Sequence, residues 1–302
     1  MYTQGNENSR TIVALPDAAA RKNLRKIIQD AGYTNCREVG TLNELADRIG
    51  SQDVDLLVTT LNDRGWDSTA LLKRIRQGNL GNPFMMIMVL LDDPSPAVVN
   101  RVVNCGADDL LLAPWLDRLV LGRLETLLHG RKRFLVTHDY VGPERRHEGR
   151  PGASPAPTID VPNPMHWLTV VKGSREHLNE AVAHTKEDLN YSRIRSCGGQ
   201  LRFLADRVVA NFAANGHGAV IPDIMMMLRA AEELALRAAD TQFSTAIELA
   251  NGLHVLCERL TREDRPARAA EIGVLPSLAD AVVKAIYNSD PDPLQTVRLQ
   301  GG

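Results

Sequence analysis

Along the first part of the chain, the apolar positions alternate between short continuous runs and helical repeats. "TIVAL" (11–15) is an apolar, β-branched run, and Ala18 to Asp30 follows with Leu24, Ile27 and Ile28 at helical spacing, ended by Gly32. "NCREVG" and "LNELADRIG" repeat the pair, as do "DVDLLVTT" with Thr69–Gln77, "PFMMIMVLL" with Ser95–Asn104, and "DDLLLA" with Trp115–Leu128. Five strand–helix units in about 120 residues predict a doubly wound parallel sheet covered by helices on both faces. Right-handed crossovers bring every strand's carboxyl end to one mouth, where such sheets keep their chemistry.

From Arg131 the pattern is lost. "RKRFLVTHDYVGPERRHEGRPGASPAPTIDVPNP" is rich in Pro, Gly and Arg, and it predicts a linker over 131–163 with one short extended piece at "FLVTHDYV". After Asn163 the chain reads as helical. A long amphipathic stretch from Met165 to about Ile194 is followed by "QLRFLADRVVANFA", "DIMMMLRAAEELALRAA", "TQFSTAIELANGLHVLCERL" and "SLADAVVKAIY". The breakers "CGG", "NGHGAVIPD" and "REDRP" separate them, which predicts an antiparallel helical bundle over 164–290. Residues 1–9 and 291–302 are expected to be flexible tails.

Composition narrows the function. With 302 residues the chain has room for two domains, and 35 basic against 37 acidic residues give a net charge of -2. That balance offers no general argument for a nucleic-acid or membrane partner. "MYTQGNENSR" leads into no long apolar run and "FMMIMVLL" is too short to span a bilayer, so a soluble, cytoplasmic protein is expected. Cys36, Cys105, Cys197 and Cys257 are scattered without a CxxC pair and read as buried thiols, not as a zinc ribbon or a redox dithiol.

Residues Arg10 to about Gly130 resemble a receiver domain of a two-component response regulator. The (βα)5 order, "DLLVTTLNDRGWDSTALLKRIR" and above all "GADDLLLAPW" carry the resemblance, since receivers typically have Gly-Ala-Asp-Asp-Tyr, two or three apolar residues, then Lys-Pro. The resemblance implies a flavodoxin-like fold over 10–130 and transfer of a phosphoryl group from a partner's histidine to an aspartate. That reaction needs a carboxylate nucleophile, an acidic pair for Mg2+, a hydroxyl and a lysine. The matching positions hold Thr60, then Leu15 and Pro16, then Leu90 or Leu91, then Ala113. All four functions are therefore missing, which implies a pseudo-receiver that is not an enzyme and needs no metal or cofactor. Asp17, Asp63, Asp92 and Asp93 are expected near the same mouth. They could hold Mg2+ or Ca2+ or accept phosphate, but solvated loop acids are the favoured reading.

The segment after the receiver pattern is similar to a Val-Thr-x-x-Tyr-x-Gly-Pro-x-Arg-Arg element, followed by Val-Pro-Asn, found in response regulators of α-proteobacterial type. Arg131, Lys132, Arg133, Arg145, Arg146 and Arg150 form a basic cluster there, read as a solvated linker ahead of an acidic or phosphate partner. In the helical half, His166, His177, His184 and His254 match no phosphotransfer or kinase box. Met225, Met226 and Met227 point in different directions on a helix, some into a core and some available to a partner helix. No phosphate loop or helix-turn-helix appears, and "SCGGQL" follows a helix. The expected function is a signalling adaptor acting through a protein partner in a two-component or phosphorelay pathway. The resemblance also implies homodimers through the fourth helix, fifth strand and fifth helix, with Val102, Leu119, Leu121 and Leu124 as apolar candidates. The alternatives are a live relay using a displaced aspartate or a bundle histidine, and a nucleic-acid regulator docking through Arg131–Arg150.

Overall fold

The computed structural model describes residues 8–61, 65–145, 158–262 and 267–289. They form two compact units that divide between Leu189 and Asn190.

The first unit begins with β1 (Thr11–Ala14), α1 (Ala18–Asp30), β2 (Cys36–Val39), α2 (Leu42–Ser51) and β3 (Leu56–Thr60). It continues with α3 (Thr69–Arg76), β4 (Met86–Leu91), α4 (Pro96–Asn104), β5 (Asp109–Leu112) and α5 (Asp117–His129). The strands pair in parallel in the order β2-β1-β3-β4-β5, the flavodoxin-like order of receivers. Period-2 alternation sorts their side chains to two faces. Ile12, Leu57, Ile87 and Val89 meet Leu45, Leu72, Ile75 and Val102 from α2, α3 and α4. Val13, Val58, Met86 and Met88 meet Leu24, Ile28, Val120 and Leu124 from α1 and α5. The central β3 and β4 are buried at every position, which is why "LLVTT" and "MIMVLL" read as nearly unbroken apolar runs. Side-chain caps start several helices: Asp17 accepts from Ala20 N at 2.6 Å, and Thr41 from Glu44 N at 3.2 Å.

The segment expected to be a linker is structured where it is described. β6 (Phe134–Val136), β7 (Val141–Pro143) and β8 (Thr158–Ile159) make an antiparallel sheet in the order β7-β6-β8. α6 (Pro164–Thr169) and the start of α7 (Arg175–Asn215) follow. Phe134, Val136, Val141, Leu168, Leu178, Val182 and Leu189 close around Phe84 in a core of their own, so the first unit runs 26 residues past Asn163, to Leu189. The helix expected from Met165 to Ile194 is two helices. The break falls at Gly173, where a Cβ would collide with the Trp167 indole.

The second unit holds α7 from Asn190 onward, α8 (His217–Ala238), α9 (Ser244–Leu260), α10 (Ala269–Ile272) and α11 (Leu275–Asn288). Its core draws on Ile194, Leu201, Leu204 and Val208 from α7, Ile224, Met227, Ala231 and Leu234 from α8, Ala246, Ala250 and Leu253 from α9, and Ala279, Val282 and Ile286 from α11. The helical character after the receiver-like region is thus as the periodicity predicts, although the bundle core begins at Asn190 and not at Pro164. "CGG", however, does not break it. Gly198 and Gly199 lie inside α7, and a Cβ on Gly198 would come within 2.8 Å of Ile286 Cδ1, so this glycine admits α11. Of the three methionines, Met227 is core, Met226 packs against it and Met225 is exposed.

Candidate functional site

The mouth of the sheet is built from the ends of β1, β3, β4 and β5. Thr60 pairs with Leu90 across β3 and β4, and its Oγ1 donates to Leu90 O at 2.8 Å. Thr59 Oγ1 donates to Ala14 O at 3.0 Å and accepts from Trp66 Nε1 at 3.4 Å. Ser68 Oγ donates to Thr60 O at 3.0 Å. Each threonine hydroxyl has one proton to donate and spends it on a main-chain carbonyl. Both side chains are buried, Thr60 with 2% of its surface exposed. Among the described residues no carboxylate, histidine or lysine hydrogen-bonds to either, so neither oxygen has a base to activate it.

The surroundings are apolar. Trp66 is buried in the same core cluster as Ala14, Leu61, Leu91 and Val98, and its indole reaches Thr59 from the loop after β3. Leu15, Leu90 and Leu91 are buried, while Pro16 and Ala113 are exposed; the Ala113–Pro114 peptide is cis. A cation does reach the rim: Arg21 Nη1 donates to Leu15 O at 2.6 Å, and its Nε lies 3.5 Å from a Glu38 carboxylate oxygen.

The alternative acids are dispersed. Asp17 caps α1, and Asp93 accepts from Ser95 N at 2.8 Å at the start of α4. Asp92 is exposed, and Asp63 lies outside the described residues. Asp17, Asp92 and Asp93 do not converge within the reach of a common ion.

A second constellation, which the sequence reading passed over, lies at the amino ends of the strands. Asp108, the first aspartate of "GADD", accepts from Ile87 N at 2.7 Å, Arg76 Nη2 at 2.6 Å and Arg131 Nη1 at 3.0 Å. Arg76, with 1% of its side chain exposed, also donates to Gly106 O, Pro83 O and Met85 O. Both guanidinium groups stack on Phe134 of β6, 5.0 and 4.7 Å from the ring centre. Burial pushes the Arg131 pKa down to about 10, against the opposing pull of Asp108. The Tyr-x-Gly-Pro-x-Arg element packs beside it. Tyr140 OH donates to Pro143 O at 2.9 Å and Arg145 Nη2 to Ala107 O at 2.7 Å. Arg133 Nε sits 2.9 Å from Asp160. Three members of the expected basic cluster therefore bond within the unit, Lys132 is exposed, and Arg146 and Arg150 lie outside the described residues.

The histidines of the helical half lie in different settings. His166 sits 3.2 Å from Leu128 O, His177 and His184 are exposed, and His254 lies 3.6 Å from Glu258. All four cysteines are buried and unpaired, and burial raises their thiols to about 11 for Cys105 and about 12 for Cys36, Cys197 and Cys257.

No family model and no curated protein matches the sequence. Solved structures that align with the chain include receiver domains. A CheY-like receiver domain protein from Methanospirillum hungatei is 19% identical over 39% of this chain and 92% of its own, with a TM-score of 0.35. The chemotaxis response regulator CheY4 of Vibrio cholerae is 20% identical over 39% and 98%, again at 0.35. The receiver domain of a histidine kinase from Syntrophus aciditrophicus is 20% identical over 39% and 87%, also at 0.35. The receiver-type fold of the first unit itself rests on its strand order. Among the described residues no helix is long and apolar enough to cross a membrane.

Proposed function

We propose that this chain is a signalling adaptor of response-regulator type, whose receiver fold performs no phosphoryl transfer and acts by binding another protein. The observation that carries this reading is the state of Thr60: a buried hydroxyl, bonded to Leu90 O, where the reaction requires an exposed carboxylate. Phosphoryl transfer is accelerated by positioning and by charges that meet the transferring oxygens. Here the matching positions are Leu15, Leu90 and Leu91, all buried, with the Trp66 indole bonded to Thr59 beside them, and none of these side chains carries charge. A site of this kind keeps the shape of the fold and has nothing with which to run the reaction.

The binding role draws support from the far side of β5. Leu112, Leu116 and Leu119 are 39–45% exposed and cluster at the end of β5 and the start of α5, whereas Val102 and Leu124 are committed to the sheet packing. That patch suits pairing of two copies or docking of a signalling partner. The protein then serves in a two-component or phosphorelay pathway without carrying phosphate itself.

The test is intact-mass measurement of the full chain after incubation with acetyl phosphate and Mg2+. The adaptor reading predicts an unchanged mass; a gain of one phosphoryl group overturns it.

A further inference from the structure

The first unit also carries a cavity of about 700 Å3 at the amino ends of its strands, bounded by the end of α2, the loop between α3 and β4, and the early turns of α7. Asn179, Val182 and Lys186 recur at helical spacing and form one wall. The facing wall is fixed in place. Gly78 and Gly81 hold φ of +79° and +62°, and a Cβ on Gly81 would stand 2.7 Å from Ile49 O, so the loop rests directly on the backbone of α2. Asn82 Oδ1, accepting from Phe84 N at 2.9 Å, closes the same turn. The cavity is therefore formed before anything enters it.

Its charges do not balance. Arg10 and Asp53 pair at 3.0 Å, which leaves Lys186 as a cation beside a carboxylate that is already engaged. The Lys186 ammonium is half-buried and makes no hydrogen bond or ion pair among the described residues. Burial draws its pKa below the usual lysine value, with Asp53 pulling the other way. Gln52 and the exposed Asn79 and Asn179 line the same space, and their side-chain amides likewise hold no hydrogen bond among the described residues. A cation and several amide donors around one concave, partly apolar space form the donor set of an oxyanion.

We propose that this cavity binds a small molecule bearing a phosphate or carboxylate group, with Lys186 as its charge partner and the Asn79, Asn179 and Gln52 amides as hydrogen-bond donors. The site is separate from the Thr60 mouth and does not depend on how that mouth is read. Asp53 stays with Arg10 and sets a limit on ligand charge, so small mono- and dianions fit best.

Isothermal titration calorimetry and thermal unfolding of the full chain, with inorganic phosphate, adenosine 5′-monophosphate and succinate as probes at matched ionic strength, test this. The expected result is saturable binding of at least one probe with a rise in Tm; the phosphate and succinate arms distinguish the two anions. Lys186→Gln weakens that binding by about tenfold or more, while Lys186→Arg largely preserves it. Circular dichroism and the ligand-free Tm show that both variants are folded. Absence of saturable binding for all three probes at millimolar concentration overturns the proposal. So does undiminished binding in folded Lys186→Gln.

Discussion

Gly106 and Gly142 lie so close that a Cβ on Gly142 would stand 2.7 Å from Gly106 Cα. Gly106, at a φ of +80°, turns the chain into β5, and Gly142 is the centre of β7. Their contact seats the small antiparallel sheet against the parallel one. It also supplies a physical reason for the glycine in the Tyr-x-Gly-Pro-x-Arg element.

Gly142→Ala is expected to lower stability by about 1–3 kcal/mol through overpacking, with Gly106→Ala costing more because its backbone is also left-handed. Urea unfolding of the full chain measures both. An effect confined to a few tenths of a kcal/mol would show that β7 is only loosely seated.

Asp108 is the hinge of the electrostatics at that junction. Its carboxylate neutralises two buried arginines, so Asp108→Ala leaves Arg76 and Arg131 without their counter-ion and should cost about 3–5 kcal/mol. The exposed Arg10–Asp53 pair sets the contrast, since Asp53→Ala should cost no more than about 1 kcal/mol. Denaturant midpoints at equal slope would separate the two.

At the mouth, restoring one group should not restore the reaction. Thr60→Asp places a carboxylate in a buried site facing Leu90 O, where desolvation and carbonyl repulsion destabilise it. Leu15 and Pro16 still hold no Mg2+. The expected outcome is a less stable protein whose intact mass stays unchanged with acetyl phosphate. Thr60→Val, which leaves Leu90 O without its donor, should cost about 1–3 kcal/mol.

The four buried thiols make stability depend on alkaline pH. Their folded pKa values of about 11 to 12 exceed the ordinary thiol value of 9.0, so the folded chain keeps protons that the unfolded chain releases. Their stabilising contribution is complete below about pH 9 and is lost as pH rises toward 12. Tm should fall across that window, and a thiol reagent at neutral pH should titrate all four cysteines only after denaturation.

The parallel sheet was legible because buried strands leave continuous apolar runs such as "MIMVLL", each followed by a helical repeat. β6 was legible only as part of one short extended piece at "FLVTHDYV", not as a strand of a second sheet. Three residues, Phe134–Val136, set among Pro, Gly and Arg, are too short for periodicity, and their burial depends on Phe84, fifty positions earlier. Gly198 misled for a related reason: it reads as a breaker, but its missing side chain answers to Ile286 across the bundle. The positions Thr60, Leu15, Leu90 and Ala113 could be named from the receiver resemblance. The indole over Thr59 could not, since Trp66 is simply an apolar residue in a loop until the fold brings it there. Likewise, nothing in the spacing of Arg76, Asp108 and Arg131 announces one buried network.

The central claim is that the mouth offers neither a carboxylate cluster to a metal ion nor a nucleophile to a phosphoryl group. Amide NMR spectra of the full chain, recorded with Mg2+ and beryllofluoride as the phosphoryl mimic, address it most directly. The account predicts no saturable shift at Leu15, Thr60, Leu91 or the Trp66 indole; saturable shifts centred on those residues would contradict it.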